Sequence, residues 1–302
     1  MNYNEIIQQA VSTDRIIGHI KVLEGVRHPL AAPEALEHAA DYIKGALACL
    51  DYDVVDHCFS ENDRSFRNVI ATRRGVRYPH ERVVLLAHYD TVAGSPGADD
   101  NASGVAVLLE IARVLSRCTL ERTIHFVGVS LEENQTDGDP CSGTRGSRAL
   151  AQYARENRWN IEGVVVLESV AFAGDDVTQS VPAGVAVPVP SVGNFIAAVG
   201  NERSQELLQL FEQSSERYGN GLHCVTVAVP GNGEAMPDSR RSDHAPFWDE
   251  GYKAIMVTDT TNFRNPHYHQ PTDTLKTLNP EFATRVCSAT AGAILDMARL
   301  TT

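Results

Sequence analysis

Residues 82–115 read RVVLLAHYDTVAGSPGADDNASGVAVLLEIARVL. The opening RVVLLA is a short apolar run rich in branched side chains, as expected of a strand buried on both faces. Ser103 stands where it would cap a helix running to about Ser116. His88, Asp90, Asp99 and Asp100 lie between the two, so side chains with metal and acid–base chemistry occupy the link between core elements.

Outward from this stretch the same alternation continues. Upstream, Ala35, Leu36, Ala39, Ala40, Ile43, Leu47 and Leu50 recur at three and four, which predicts an amphipathic helix over Pro33 to Leu50 and a strand near Tyr52 to Val55. Downstream, strands are expected at Thr123 to Ser130, Gly163 to Leu167, Leu222 to Val229 and Ala254 to Thr258. Helices are expected at Arg145 to Arg155, Glu202 to Tyr218 and Pro280 to Leu300. The alternation specifies an α/β fold: one globular domain over residues 1–302 with a mainly parallel, partly mixed central sheet flanked by helices. The segment DDVTQSVPAGVAVPVPSVGN (175–194) reads as an irregular insertion, and together with Pro230 to Arg241 it is expected to shape a cleft.

Composition narrows the function. The chain has 302 residues, 43% of them hydrophobic, and 39 acidic against 26 basic residues give a formal charge of -13. With no basic stripe interleaved with aromatics, nucleic acid is an unsuitable partner, and most of the negative charge reads as a solvated surface. No apolar run approaches the roughly 20 residues needed to span a bilayer, and the N-terminus lacks a basic segment followed by an apolar one. A cytoplasmic location and no membrane partner are therefore expected. The six cysteines are widely spaced without CxxC and read as reduced and structural. Neither heptads nor an identifiable apolar patch defines an oligomeric state.

Ligands of open α/β sheets bind beyond the carboxyl ends of the strands. His88 and Asp90 follow one predicted strand, Glu132 and Glu133 follow another, Glu168 ends a third, and His269 lies in the loop after a fourth. Alone, a His-x-Asp is usually incidental and a Glu-Glu pair is usually a solvated turn. Their recurrence at strand ends marks a metal site, since imidazole nitrogen and carboxylate oxygen suit zinc and a bridging carboxylate can hold two ions. His125 interrupts an apolar strand and reads as a satisfied core or edge histidine, and His267 as a loop residue. His244 and Asp243 fit either a cleft or a structural role. Cys141 has no paired base nearby, so nucleophilic catalysis has little support. Arg145, Arg240, Arg241 and Arg264 have the guanidinium fork that matches a substrate carboxylate.

AHYDTVAGSPGADDNASGVAVLLEIARVL (87–115), SLEEN (130–134), VVVLES (164–169), RRSDHAPFW (240–248) and NPHYHQPTDT (265–274) resemble, in order and context, the signature segments of the co-catalytic dizinc aminopeptidase and glutamate carboxypeptidase family. The resemblance covers about residues 80 to 280 and implies the zinc-exopeptidase fold. It implies Asp100 as the bridge between two zinc ions, His88 and Glu168 completing one site, and Glu133 and His269 completing the other. It further implies Glu132 as general acid/base, Asp90 as support for His88, Asp99 as structural, and Tyr268 as a donor to the tetrahedral oxyanion. Glu168 departs from the aspartate of many relatives but keeps the ligand type. Manganese or cobalt would fit the same donors. The expected substrate is a small peptide or amino-acyl compound cleaved at an amide bond, with an aminopeptidase favoured over a carboxypeptidase or dipeptidase. Two other classes fit the same scaffold: a glutaminyl cyclase-like acyltransferase using one zinc, and a catalytically dead binding module. Against the cyclase, residues 134–147 lack the tryptophan expected of it.

Overall fold

The computed structural model of the chain describes residues 7, 10–133 and 142–301. Eight strands, β1 (Asp53–Glu61), β2 (Arg64–Arg73), β3 (Tyr78–His88), β4 (Arg122–Val129), β5 (Asn160–Glu168), β6 (Phe195–Asn201), β7 (His223–Val229) and β8 (Ala254–Thr258), form one sheet in the order β1-β2-β4-β3-β5-β8-β6-β7. The helices are α1 (Thr13–Leu23), α2 (Pro33–Ala48), α3 (Gly104–Leu115), α4 (Arg145–Glu156), α5 (Gln205–Tyr218), α6 (His244–Asp249) and α7 (Pro280–Ala298). β3 pairs in parallel with β4 and β5, and β5 with β8. β6 and β7 are also parallel, whereas β1–β2, β2–β4 and β6–β8 are antiparallel.

Alternation of side chains along the central strands divides the core into two layers. Val83, Leu85 and Ala87 of β3, with Val165 and Leu167 of β5, join the cluster under α1, α2, α3, α5 and α7. Val84 and Leu86, with Val164 and Val166, face Leu150 and Ala151 of α4 and Phe247 and Trp248 of α6. Covering both faces explains why these strands are apolar throughout, and each fully buried Val or Leu contributes roughly 1.5–3 kcal/mol. In α3 every residue except Arg113 is buried, so its apolar character all round is satisfied by burial on all sides. The closing α7 lies close against α5: a Cβ on Gly292 would sit 2.2 Å from the Tyr218 ring.

Several elements differ from expectation. β1 runs on to Glu61 and turns into β2, a strand whose charged first half hides its buried second half, Asn68 to Ala71. β6 begins where the expected insertion ends; its alanines and glycine carry weak strand signal. Ser103 does not cap α3 through its side chain. Its hydroxyl turns back to the Asp99 carbonyl at 2.7 Å, because residues 98–103 already coil ahead of the helix. Cys118 and Cys287 are buried, Cys49 and Cys58 are exposed, and none of the five described cysteines is in a disulfide. Cys141 lies outside the described residues. No helix among the described residues is long and apolar enough to cross a membrane.

His125 on β4 is the satisfied core histidine expected. Its Nδ1 lies 3.0 Å from Thr72 Oγ1, its Nε2 lies 2.8 Å from Arg82 Nη1, and its ring stacks on Trp159 at 4.6 Å. Burial, reinforced by the Arg82 charge, pushes its pKa down to about 3. The folded protein therefore keeps His125 neutral while the unfolded chain protonates it near 6.5, so its contribution is complete above pH 6.5 and declines as pH falls toward 3. Unfolding titrations of wild type and His125→Gln from pH 7 to 4.5 should diverge in slope by at most about 1.4 kcal/mol per pH unit, with wild type losing stability faster. Parallel slopes would contradict the assignment.

Candidate metal centre

β3 leads through α3 to β4 on one side, and β4 leads through α4 to β5 on the other. Strand order therefore reverses between β3 and β5, which opens a crevice at their carboxyl ends. His88 ends β3, Glu168 ends β5, and Glu132 and Glu133 follow β4. Register brings these ends level, since Leu86 pairs with Val166 and His88 with Val129. The backbone is left-handed at Leu131, Ser169 and His269, each at or beside one of these residues, as is common where a chain is held in a functional geometry.

Two groups of donors meet here. His88 Nε2 lies 3.2 Å from Asp100 Oδ1 and 3.3 Å from Glu168 Oε2. His269 Nε2 lies 3.1 Å from Asp100 Oδ2 and 3.2 Å from Glu133 Oε2. Each group converges within the reach of one ion, and Asp100 belongs to both. Neither imidazole Nε2 makes a hydrogen bond although both are buried. A tetrahedral zinc with bonds of 2.0–2.1 Å needs donors roughly 3.3–3.4 Å apart. The observed separations fit that polyhedron, and the donor set of imidazole and carboxylate suits zinc.

Electrostatics give the same picture. Burial lowers the His88 pKa, but Glu168, Glu132, Asp100 and Asp90 outweigh it and hold the imidazole well above its usual value. Asp100 and Glu133 likewise overcome burial at His269, which rises to about 10. Burial raises Glu132 well above the usual carboxylate range, helped by Glu168, Glu133 and Asp243 and opposed by His88, while Glu133 rises to about 7. Glu132 Oε2 lies 3.9 Å from His88 Nε2, next to the donors.

A second ring of contacts holds the donors. Asp90 approaches His88 Nδ1 at 3.5 Å, but its two oxygens accept the backbone N–H groups of Glu132 and Glu133, each at 3.1 Å. Its position therefore governs both glutamates as well as His88. Asp99 accepts from Ala171 N and Asn265 Nδ2 and is structural, as expected. Three contributors lie inside the signature segments but were assigned no role from sequence. Asp273 receives the amides of Asp99 and Asp100 at 2.9 and 3.1 Å, Asn101 ties the loop to the Leu167 carbonyl at 2.7 Å, and the Ser242 hydroxyl donates to Glu168 Oε2 at 2.8 Å. Gly97, at φ +59°, turns the chain so tightly that a Cβ would meet the Asp100 carbonyl at 2.3 Å.

The remaining candidates separate cleanly. His244 is buried against the Ser239 carbonyl at 2.7 Å, with its pKa pushed down to about 4 by burial, and is structural. Asp243 is buried next to the cluster rather than among the donors, and burial lifts it to about 7 against the pull of His88 and Ser147. His267 contacts Thr272 and stays outside both groups. Arg145 pairs with Glu61, Arg240 with Asp249, and Arg264 is buried against the Gly193 and Phe195 carbonyls. Tyr268 stacks on His269 at 3.8 Å and opens onto a cleft that also contains Glu132, Glu168 and Arg241. Gln179, Pro182, Val185 and Val189 from 175–194 line that cleft, as do Met236, Asp238, Ser239 and Arg241 from 230–241.

The chain belongs to Peptidase family M28, whose pattern it matches over residues 68–294, and is thus of a zinc metallopeptidase family. It is 27% identical to the uncharacterized protein YfbL of Escherichia coli K12 over 89% of this chain and 83% of that protein. It is 30% identical to a probable zinc metalloprotease of Leptosphaeria maculans over 67% of this chain, spanning about half (48%) of that relative. In fold it overlays on an aminopeptidase from Aneurinibacillus sp. strain AM-1 with a TM-score of 0.74 at 16% identity, covering 99% of this chain and 97% of the other. Porphyromonas gingivalis glutaminyl cyclase overlays with a TM-score of 0.73 at 21% identity, covering 95% and 98%.

Removing the grip on the Asp100 backbone should loosen metal binding. Asp273→Asn is expected to weaken zinc retention against a chelator by 10–100-fold while the protein stays folded. Unchanged retention would show that Asp100 is held without it.

Proposed function

We propose that the chain is a zinc exopeptidase with a two-ion site, in which His88, Asp100 and Glu168 hold one zinc and Asp100, Glu133 and His269 hold the other. The observation that carries this reading is the pair of donor groups sharing Asp100, with edges of 3.1 to 3.3 Å and Glu132 next to them. Zinc held by these residues would supply Lewis acidity, lowering the pKa of water toward about 7 and polarising a carbonyl. Glu132 takes the proton of the attacking water and returns it to the departing amine, a role for which a buried carboxyl with a raised pKa is suited. Asp90 holds Glu132 through its backbone N–H. The Tyr268 hydroxyl, in the same cleft, donates to the carbonyl oxygen as negative charge grows there.

An aminopeptidase is favoured. The walls of the cleft are largely apolar, with Phe195, Val199, Val227, Met256 and Phe263 among them, as a pocket for the side chain of an N-terminal residue requires. Those walls and the two irregular segments suit a large apolar side chain. Val227→Phe should reduce kcat/KM for Leu- or Phe-headed substrates relative to Ala-headed ones by about tenfold, the order expected of one apolar pocket contact. An unaltered ratio would remove that wall from the specificity pocket.

The glutaminyl cyclase reading has one observation in its favour, a fold overlay as close as that on the aminopeptidase. Zinc content and turnover separate the two. Two zinc ions per chain and peptide hydrolysis that falls by about 10²–10⁴-fold in Glu132→Gln, with zinc retained, are expected. One zinc with cyclisation of N-terminal glutamine would replace this reading with the cyclase, and zinc without turnover of either kind would leave a binding scaffold.

A further inference from the structure

Among the four arginines with the chemistry to meet a carboxylate, only Arg241 lines the cleft that contains Glu132 and Tyr268. The other three are committed elsewhere, as described above. Arg241 is also the one basic residue among the described residues lining that cleft. Its Nη1 donates to Asn262 Oδ1 at 2.9 Å and its Nη2 to the Tyr268 hydroxyl at 3.3 Å. Nη1 also pairs with Asp238 Oδ1 at 3.6 Å, and the side chain is 41% exposed. A guanidinium carries five N–H donors, so these contacts orient the group and leave further donors unused where it lines the cleft.

We propose that Arg241 receives a carboxylate of the substrate and so selects peptides that carry one on a residue flanking the scissile bond. The inference rests on the peptidase reading above. Arg241 touches the hydroxyl expected to meet the reacting carbonyl, and consecutive Cα atoms are only 3.8 Å apart, so a carboxylate reaching it belongs to a neighbouring residue. The planar fork takes a carboxylate through two parallel hydrogen bonds, which a lysine cannot reproduce. Two sources supply that group: the free C-terminus of a dipeptide, or an Asp or Glu side chain next to the cleaved bond.

Two substrate pairs distinguish the sources. Leu-Leu against Leu-Leu amide reads the C-terminal carboxylate, and Leu-Glu amide against Leu-Gln amide reads the side chain. For the zinc-loaded wild type, kcat/KM should favour the carboxylate member of at least one pair. Arg241→Gln should reduce that preference at least fivefold, mainly through KM, and Arg241→Lys should retain part of it. A wild type without preference in either pair, or a smaller change in Arg241→Gln, overturns the proposal. Calorimetric titration of the same peptides into zinc-loaded Glu132→Gln reads recognition without turnover. Preferential binding with no hydrolysis by wild type would sink the peptidase reading alone, and hydrolysis with no carboxylate preference would sink the role of Arg241 alone.

Discussion

Repulsion among carboxylates removed from water at the ends of β3, β4 and β5 is the constraint around which this chain is organised. Among the described residues, buried Asp90, Asp99, Asp100, Glu132, Glu133, Glu168, Asp243, Asp259 and Asp273 gather around one crevice, while the buried arginines are Arg27 and Arg264. Burying one such charge without a partner costs several kcal/mol, and neighbouring like charges add to the cost. The raised pKa values of Glu133, Asp243, Asp259 and Asp273, each near 7 and each led by burial, express that stress. Divalent cations held by the two donor groups would relieve it, which makes metal binding part of the folding energetics as well as of the chemistry.

The scaffold supplies what the acids need besides charge. Backbone amides point at carboxylates wherever a strand ends: Glu132 and Glu133 at Asp90, Asp99 and Asp100 at Asp273, Ala171 at Asp99, Phe172 at Asp259. Arg27, fully enclosed, donates instead to carbonyls, including those of Tyr89 at 2.7 Å and Gly97 at 3.0 Å, and so clamps the loop between His88 and Asp100 from beneath. Its pKa falls to about 10 through burial, partly offset by Asp90, Asp100, Asp273 and Glu133. The loop that carries the shared carboxylate is thus fixed from both ends before any ion arrives.

Legibility differed by the kind of information each residue carries. β3 and β5 were readable because strands covered on both faces must be apolar throughout. β2 and β6 were not, since half of β2 is solvated and β6 is built from small residues that gain strand character from their neighbours. His88, Asp90, Asp100, Glu132, Glu133, Glu168, Tyr268 and His269 were picked out by their places after predicted strands and by family resemblance, and the structure brings all eight to one crevice. Asp273 and Ser242 lie within segments that carry the resemblance, but their roles escaped because their partners, the Asp99 and Asp100 amides and the Glu168 carboxylate, are far away in sequence.

The sequence by itself determined the α/β alternation, the apolar layers and the kinds of side chain placed at strand ends, because burial and ligand chemistry are properties each residue carries alone. Tertiary structure alone decided which of four arginines faces the cleft, that Asp90 grips two backbone amides, and that Asp273 reaches Asp100 across more than 170 residues of chain. Those outcomes depend on strand order and register, which join distant segments through hydrogen bonds between backbones and leave no trace in the local pattern.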